Sequence, residues 1–201
     1  MEHVNKDYRQ AFKEWLMTNS DEFRPWNQAY IVTGGLILWL AWMFFNGGST
    51  YDIYADPSTS CMFAYRKNGP AKIMMNTFLS ATTAGIIVVY IKPHIMGTYS
   101  HVSRYDCGAC TNGVLCGLVS ITGCCDCVEP WFAFCIGIIA AFAYIFGCKV
   151  LEWLHIDDPC EASPVHMFGG TWGTLATGLF SNETGLFYVT GSSKGGRFFG
   201  I

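Results

Sequence analysis

From Trp131 to Cys148 the chain carries no charged side chain. The apolar stretch around it, residues 131–150, is close to the ~20 residues that a helix needs to cross about 30 Å of hydrocarbon. Four further apolar stretches lie near 30–48, 73–91, 111–123 and 162–180. Inside lipid every backbone amide and carbonyl must find a partner within the protein, which leaves helices or closed barrels. Apolar runs of this length, without strand-like alternation, read as helices. The stretch at 111–123 reaches span length only if its helix starts near Cys107, or if it is short, tilted and buried by its neighbours. Composition agrees with the membrane class: 51% of the 201 residues are hydrophobic and 13% are charged, against about 25% charged in a soluble domain. Mean hydropathy is +0.28. The net charge of -3, with no basic stripe, excludes a nucleic-acid partner.

The connections are polar. Residues 49–72 hold Asp52, Asp56, Arg66 and Lys67; 92–108 hold Lys92, His94, His101 and Arg104; 124–130 hold Asp126 and Glu129; 151–161 are acidic. Loop histidines such as His94 and His101 carry no assigned role. Five spans put the termini on opposite sides. With the N-terminus inside, seven Lys and Arg fall on inner segments and five on outer ones, an excess that favours this orientation. Residues 1–28 form a separate polar segment ahead of the five-helix domain at 29–201. Tyr8, Phe12, Trp15 and Leu16 recur there at helical spacing, which predicts a short amphipathic helix on the membrane surface or against a partner. The first residues are mixed in charge, unlike a secretory signal, so the first internal span is expected to direct insertion.

Ten cysteines are present. Cys107-x-x-Cys110 and Cys124-x-x-Cys127 have the spacing of a four-cysteine zinc site. A helix between the pairs would hold them on the order of 25 Å apart, far beyond what zinc–sulfur bonds near 2.3 Å tolerate. The structural reading therefore prevails, and no metal or cofactor is expected. No nucleophile–base pair or phosphate loop points to an enzyme.

The most informative stretch is 157–180. Asp158 is placed to cap a helix, Pro159 suits its first position, and Glu161 completes a capping box. The two carboxylates also complement the positive end of a helix dipole. His166 then stands about two turns inside an apolar, glycine-rich helix. An ionisable ring is expensive in such surroundings and marks either a buried structural donor or the lining of a solute path. Gly169 and Gly173, continued by Thr177, form a small-residue stripe suited to close helix packing.

Asp157-Asp158-Pro159, Val165-His166, Gly169-Gly170-Thr171-Trp172-Gly173-Thr174 and Ala176-Thr177-Gly178-Leu179-Phe180 together resemble the tenth spanning helix of Amt-type ammonium transporters. Trp42-Met43-Phe44-Phe45-Asn46-Gly47-Gly48-Ser49 resembles the end of that family's sixth helix, and Asn76-Thr77 with the run after it resembles the seventh. The stretch from Asn112 to Thr122 resembles the eighth, and Val128-Glu129-Pro130-Trp131 the start of the ninth. The resemblance covers about residues 25–200.

The resemblance implies an all-α, polytopic membrane protein with five transmembrane helices, half of an ammonium-transporter fold. The family fold joins two inverted five-helix halves and a final helix around a pore; only the second half is matched. It implies that His166 corresponds to the second of two pore histidines, Phe45 to a ring of the aromatic gate, Ser49 to a hydroxyl at the outer ammonium site, and Leu115 to an apolar pore-lining position. Ammonium would lose its proton at the vestibule and cross as ammonia, because a bare charge in a dry pore is far costlier than a neutral amine.

The expected partners are the lipid bilayer, ammonium or ammonia, and either other membrane subunits or a complementary half-transporter. The competing expectation is an accessory or structural subunit of a larger membrane complex, derived from a transporter and without transport. The Met start and the mixed-charge opening suggest a short gene product. The expected location is a plasma membrane or an organellar inner membrane, which the residues leave open.

Overall fold

The computed structural model describes residues 10–11, 14–15, 27–49, 69–96, 106–182 and 185–187. Beyond helical residues at 10–11 and 14–15, they hold the helices α1 (Gln28–Gly48), α2 (Pro70–Met96), α3 (Cys107–Thr122), α4 (Pro130–Leu154) and α5 (Gly169–Phe180), with a π-helical turn at Pro164–Phe168 ahead of α5. The all-helical membrane architecture expected from the apolar runs is present. By length and composition α1, α2 and α4 suffice to cross a bilayer, while α3 is a shorter apolar helix.

Helix boundaries follow local chemistry. Asn27 Oδ1 accepts from the Ala29 amide at 2.9 Å to start α1. Asp106 accepts from the amides of Gly108 and Ala109 at 2.9 and 3.3 Å and sets the start of α3 at Cys107; a cap satisfies amides that have no partner in the first turn. α4 opens with Pro130, whose missing amide costs nothing at that position. It ends at His155, in the left-handed region at φ 58, where the Ile156 amide reaches back to the Leu151 carbonyl at 3.1 Å. That is the bond pattern of a Schellman stop.

Several boundaries differ from expectation. α2 extends past residue 91 through Pro93 to Met96, so His94 sits on its exposed last turn and not in a loop. The fifth segment is helical from 162 to 180 as expected, but not α-helical throughout. It opens α-helical at Ala162 and Ser163, passes through the π-turn and returns to α geometry at Gly169. Pro159 precedes it and is not its first residue. Of the N-terminal segment, Gln10, Ala11, Glu14 and Trp15 are described, all helical and exposed; Tyr8, Phe12 and Leu16 lie outside the described residues.

α2 is the central helix, packed against α1, α3 and α4, while α5 packs on α3 and α4. Small residues set the spacing. A Cβ at Gly117 would lie 2.6 Å from the Ser80 carbonyl oxygen, and one at Gly137 2.5 Å from the same atom. Ser80 Oγ in turn donates to the Gly117 carbonyl at 2.9 Å. The stripe on α5 behaves alike: at Gly173 a Cβ would meet the Ser120 carbonyl oxygen at 2.5 Å, and at Gly169 the Cys116 sulfur at 2.7 Å. Close backbone approach replaces the hydrophobic drive that lipid does not supply. The core around these contacts includes Ala84, Val88, Cys116, Ala140, Tyr144 and Val165.

The two Cys-x-x-Cys pairs stand at opposite ends of α3. Cys124, Cys125 and Cys127 are buried in the turn after it, and burial pushes the Cys124 thiol up to about 12. That turn is held from α2: Asn76 Nδ2 donates to the carbonyls of Cys125 and Val128 at 2.8 and 2.9 Å. Lys72 Nζ meets Glu129 Oε1 at 2.8 Å, and Asn182 Nδ2 donates to the same oxygen at 2.7 Å.

Candidate functional site

α3 and α5 run parallel, with Gly169 against Cys116, Gly173 against Ser120 and Thr177 against Gly123. This register orders the four candidate pathway residues. His166, one turn before Gly169, lies level with the first half of α3, near Leu115. Phe45 and Ser49 lie at the other end: Trp42 Nε1 donates to Thr122 Oγ1 at 2.8 Å, and Asn46 Nδ2 donates to Thr77 Oγ1 at 3.1 Å. From the rise per residue the two levels differ by on the order of 15 Å. α1 touches α2 and α3 but neither the π-turn nor α5 among the described residues. Phe45 and His166 are thus brought to one bundle and not into contact.

Each has its own setting. Phe45 is 68% exposed. Ser49 is exposed, and its hydroxyl donates to the Phe45 carbonyl at 2.7 Å, which leaves the oxygen free to accept. Leu115 is half-buried and packs on the cluster that contains Tyr144 and Val165. His166 is exposed, although its neighbours Pro164 and Val165 are buried. The turn thus aims the imidazole out of the five-helix core. Trp172 faces the opposite way: it packs against the core clusters, and its Nε1 donates to the Ile136 carbonyl at 3.1 Å.

The acidic residues before the turn divide the labour differently from the expected capping box. Asp158 accepts from the amides of Ala162 and Ser163 at 3.0 and 2.7 Å. Its slight burial raises its pKa, but these bonds outweigh that and hold the carboxyl below the ordinary aspartate range. Glu161 does not fold back to cap. Its backbone is in the left-handed region at φ 53, and its carboxylate turns toward the bundle. There Lys92 Nζ lies 2.5 Å from Oε1, Asn112 Nδ2 donates to Oε2 at 3.0 Å, and the Tyr144 hydroxyl donates to Oε2. The physical reason is Lys92: an ammonium 15% exposed at the end of an apolar helix requires a counterion, and Glu161 is within reach. Burial raises the pKa of Glu161, but the charge of Lys92 and the three hydrogen bonds prevail, so it stays below the ordinary glutamate range.

Sequence reasoning missed this cluster. Lys92 reads as a loop residue just past an apolar run, and Tyr144 as one more aromatic in a span. The available signal was one cation at the end of an apolar run, with an acidic segment elsewhere in the chain to supply its counterion. Among the described residues no group of three or more His, Cys, Asp or Glu is placed to hold a metal.

Comparison with known proteins matches residues 8–199 to the model of the Ammonium Transporter Family. Ammonium transporter Amt2 of Archaeoglobus fulgidus is 35% identical over 166 residues, covering 83% of this chain and 32% of that protein. Ammonium transporter 1 member 3 of Solanum lycopersicum is 34% identical over 178 residues, covering 88% and 37% respectively. Among solved structures, Saccharomyces cerevisiae Mep2 superposes with a TM-score of 0.64 at 27% identity, covering 85% of this chain and 36% of that one. The chain spans about a third of the length of these relatives. The family match begins at residue 8 and not near 25, so the polar opening belongs largely to the matched region and says nothing about where the gene product starts. The helices are those of an integral membrane protein, and the chain belongs to the Ammonium Transporter Family.

Proposed function

We propose that this chain forms one side of an ammonium pathway and that a complementary set of helices forms the other. The observation that carries the reading is the exposure of His166. An imidazole aimed from an apolar bundle into hydrocarbon is unfavourable, whereas one aimed into a narrow pore shared with a second half is useful. In this reading ammonium is held near Phe45 and Ser49 by contact with the ring face and the hydroxyl. There it gives its proton to water at the exposed mouth, which carries the proton away, and ammonia passes Leu115 and His166. The apolar wall at Leu115 disfavours the ion and tolerates the neutral amine. His166 supplies the amine with a polar contact at the depth where water is scarce. No covalent catalysis and no cofactor enter.

The test is purification of the chain from its native membrane, identification of what accompanies it, and ammonium uptake by that assembly in vesicles. Co-purification of a polypeptide like the first half of the family, with uptake lost in His166→Ala, supports the reading. Co-purification with an unrelated membrane complex, and uptake indifferent to His166→Ala, would replace it with the accessory-subunit role.

A further inference from the structure

The segment that carries His166 is tied to three helices through one side chain. Lys92 comes from α2, Asn112 from α3 and Tyr144 from α4, and all three reach the carboxylate of Glu161. Asn112 also donates to the Cys160 carbonyl at 3.2 Å, and Lys92 Nζ lies 4.8 Å from the centre of the Tyr144 ring. The backbone of Glu161 is committed as well. Its amide donates to the Asp158 carbonyl at 2.9 Å, and its carbonyl accepts from Val165 at 3.3 Å. A non-glycine residue in the left-handed region is held there only when its surroundings over-determine it.

On the far side of His166 the chain is held again. The Phe168 ring fills the space over Gly147, where a Cβ would come within 2.7 Å, and it meets Phe146 edge-on at 5.9 Å. Between these two fixed points the backbone makes the π-turn, with the Gly169 amide reaching Pro164 as well as His166. A π-turn holds one residue more than an α-turn. Relaxing it to α geometry would rotate His166 by about 100° relative to the residues after it, since 3.6 residues complete a turn.

We infer that Glu161 is a positioning residue: clamped by Lys92, Asn112 and Tyr144, it keeps the Pro164–Phe168 turn π-helical and so keeps the His166 imidazole aimed out of the bundle. The inference rests on the reading of His166 as a pathway residue for its consequence, not for its geometry. It assigns to the Lys92–Glu161 pair a role in aim beyond stability.

Nitrogen-15 NMR of histidine-labelled full-length protein in lipid nanodiscs tests it, with the His166 signal identified by its loss in His166→Ala. The parent protein is expected to give one His166 signal. The charge-neutral variant Lys92→Met/Glu161→Gln is expected to split it or to cut its intensity at least twofold, and the separate variant Lys92→Arg, which keeps the ion pair, to retain the single signal. Lys72→Met/Glu129→Gln, which removes an ion pair at the other end, is expected to leave it unchanged. An unaltered His166 signal in a folded Lys92→Met/Glu161→Gln protein overturns the inference. If that variant does not fold, Tyr144→Phe carries the test, since it removes one donor and orphans no charge: broadening supports the inference and an unchanged signal overturns it. Uptake in His166→Ala is read separately. Indifference there sinks the pathway role while the NMR result still decides the positioning role.

Discussion

Lys92 Nζ lies 2.5 Å from Glu161 Oε1, although 69 residues separate them in the chain. The same ammonium lies 2.9 Å from the Tyr144 hydroxyl oxygen. One ion pair thus joins the end of the central helix to the start of the segment that bears His166.

Breaking that pair from one side is expected to be costly. Lys92→Met leaves the Glu161 carboxylate without its counterion. Loss of one partner of a fully buried pair costs about 3–5 kcal/mol, and partial exposure here brings the expectation to about 2 kcal/mol. Lys92→Met/Glu161→Gln removes both charges and is expected to recover at least half of the loss. Thermal unfolding in nanodiscs, followed by tryptophan fluorescence, checks both; equal destabilisation of the single and double variants would contradict the ion-pair account.

Acid should weaken the fold. Glu129 is held below the ordinary glutamate range chiefly by the hydrogen bond from Lys72, against a small opposing effect of burial and with help from Asn182 and the Lys72 charge. Glu161 and Asp158 are lowered too. A carboxyl whose folded pKa lies below its unfolded value binds more protons when unfolded. Its contribution is therefore fully present above the unfolded pKa of about 4 and is lost as pH falls through the folded one. Unfolding temperature is expected to hold from pH 7 to about 5 and to drop below that. Glu129→Gln should reduce the drop only slightly, since half-exposed pairs contribute about 0.5 kcal/mol.

The glycine contacts predict a position-specific pattern for alanine. Gly117→Ala, Gly137→Ala and Gly173→Ala each drive a Cβ to within 2.6 Å of a backbone oxygen, where nothing can rotate away. Each is expected to cost about 1–3 kcal/mol. Gly34→Ala meets nothing within 4 Å and is expected to be neutral or to stabilise α1 by up to about 1 kcal/mol. A uniform response across the four, measured by thermal unfolding, would refute the packing argument.

Asn76 predicts a change in cysteine reactivity. Asn76→Leu removes both donors to the 124–129 turn and leaves the carbonyls of Cys125 and Val128 unsatisfied, at about 1–3 kcal/mol each. The turn should open, and Cys124, Cys125 and Cys127, buried in the parent, should label with maleimide several-fold faster. Unchanged labelling of a folded variant would show that the turn is held by other contacts.

The apolar stretches at 30–48, 73–91 and 131–150 placed α1, α2 and α4 within a few residues, because segment hydrophobicity and length are local properties that lipid selects on directly. Caps set by neighbouring residues, such as Asp106 for α3, were equally available. The motifs around His166 and Phe45 pointed to the family before any coordinate did. The exact ends were harder: α2 continues through Pro93 because packing against α4 outweighs one lost amide bond, which no local pattern reports.

Local residues thus determined that this chain is an all-helical membrane protein of the ammonium-transporter kind, with His166 in its last apolar segment. Only the tertiary structure decided that Glu161 faces Lys92 and Tyr144 instead of capping its own helix, that the segment enters through a π-turn, and that His166 faces outward. A carboxylate chooses among partners by distance and desolvation, and both are set by helices that meet only when the bundle is assembled.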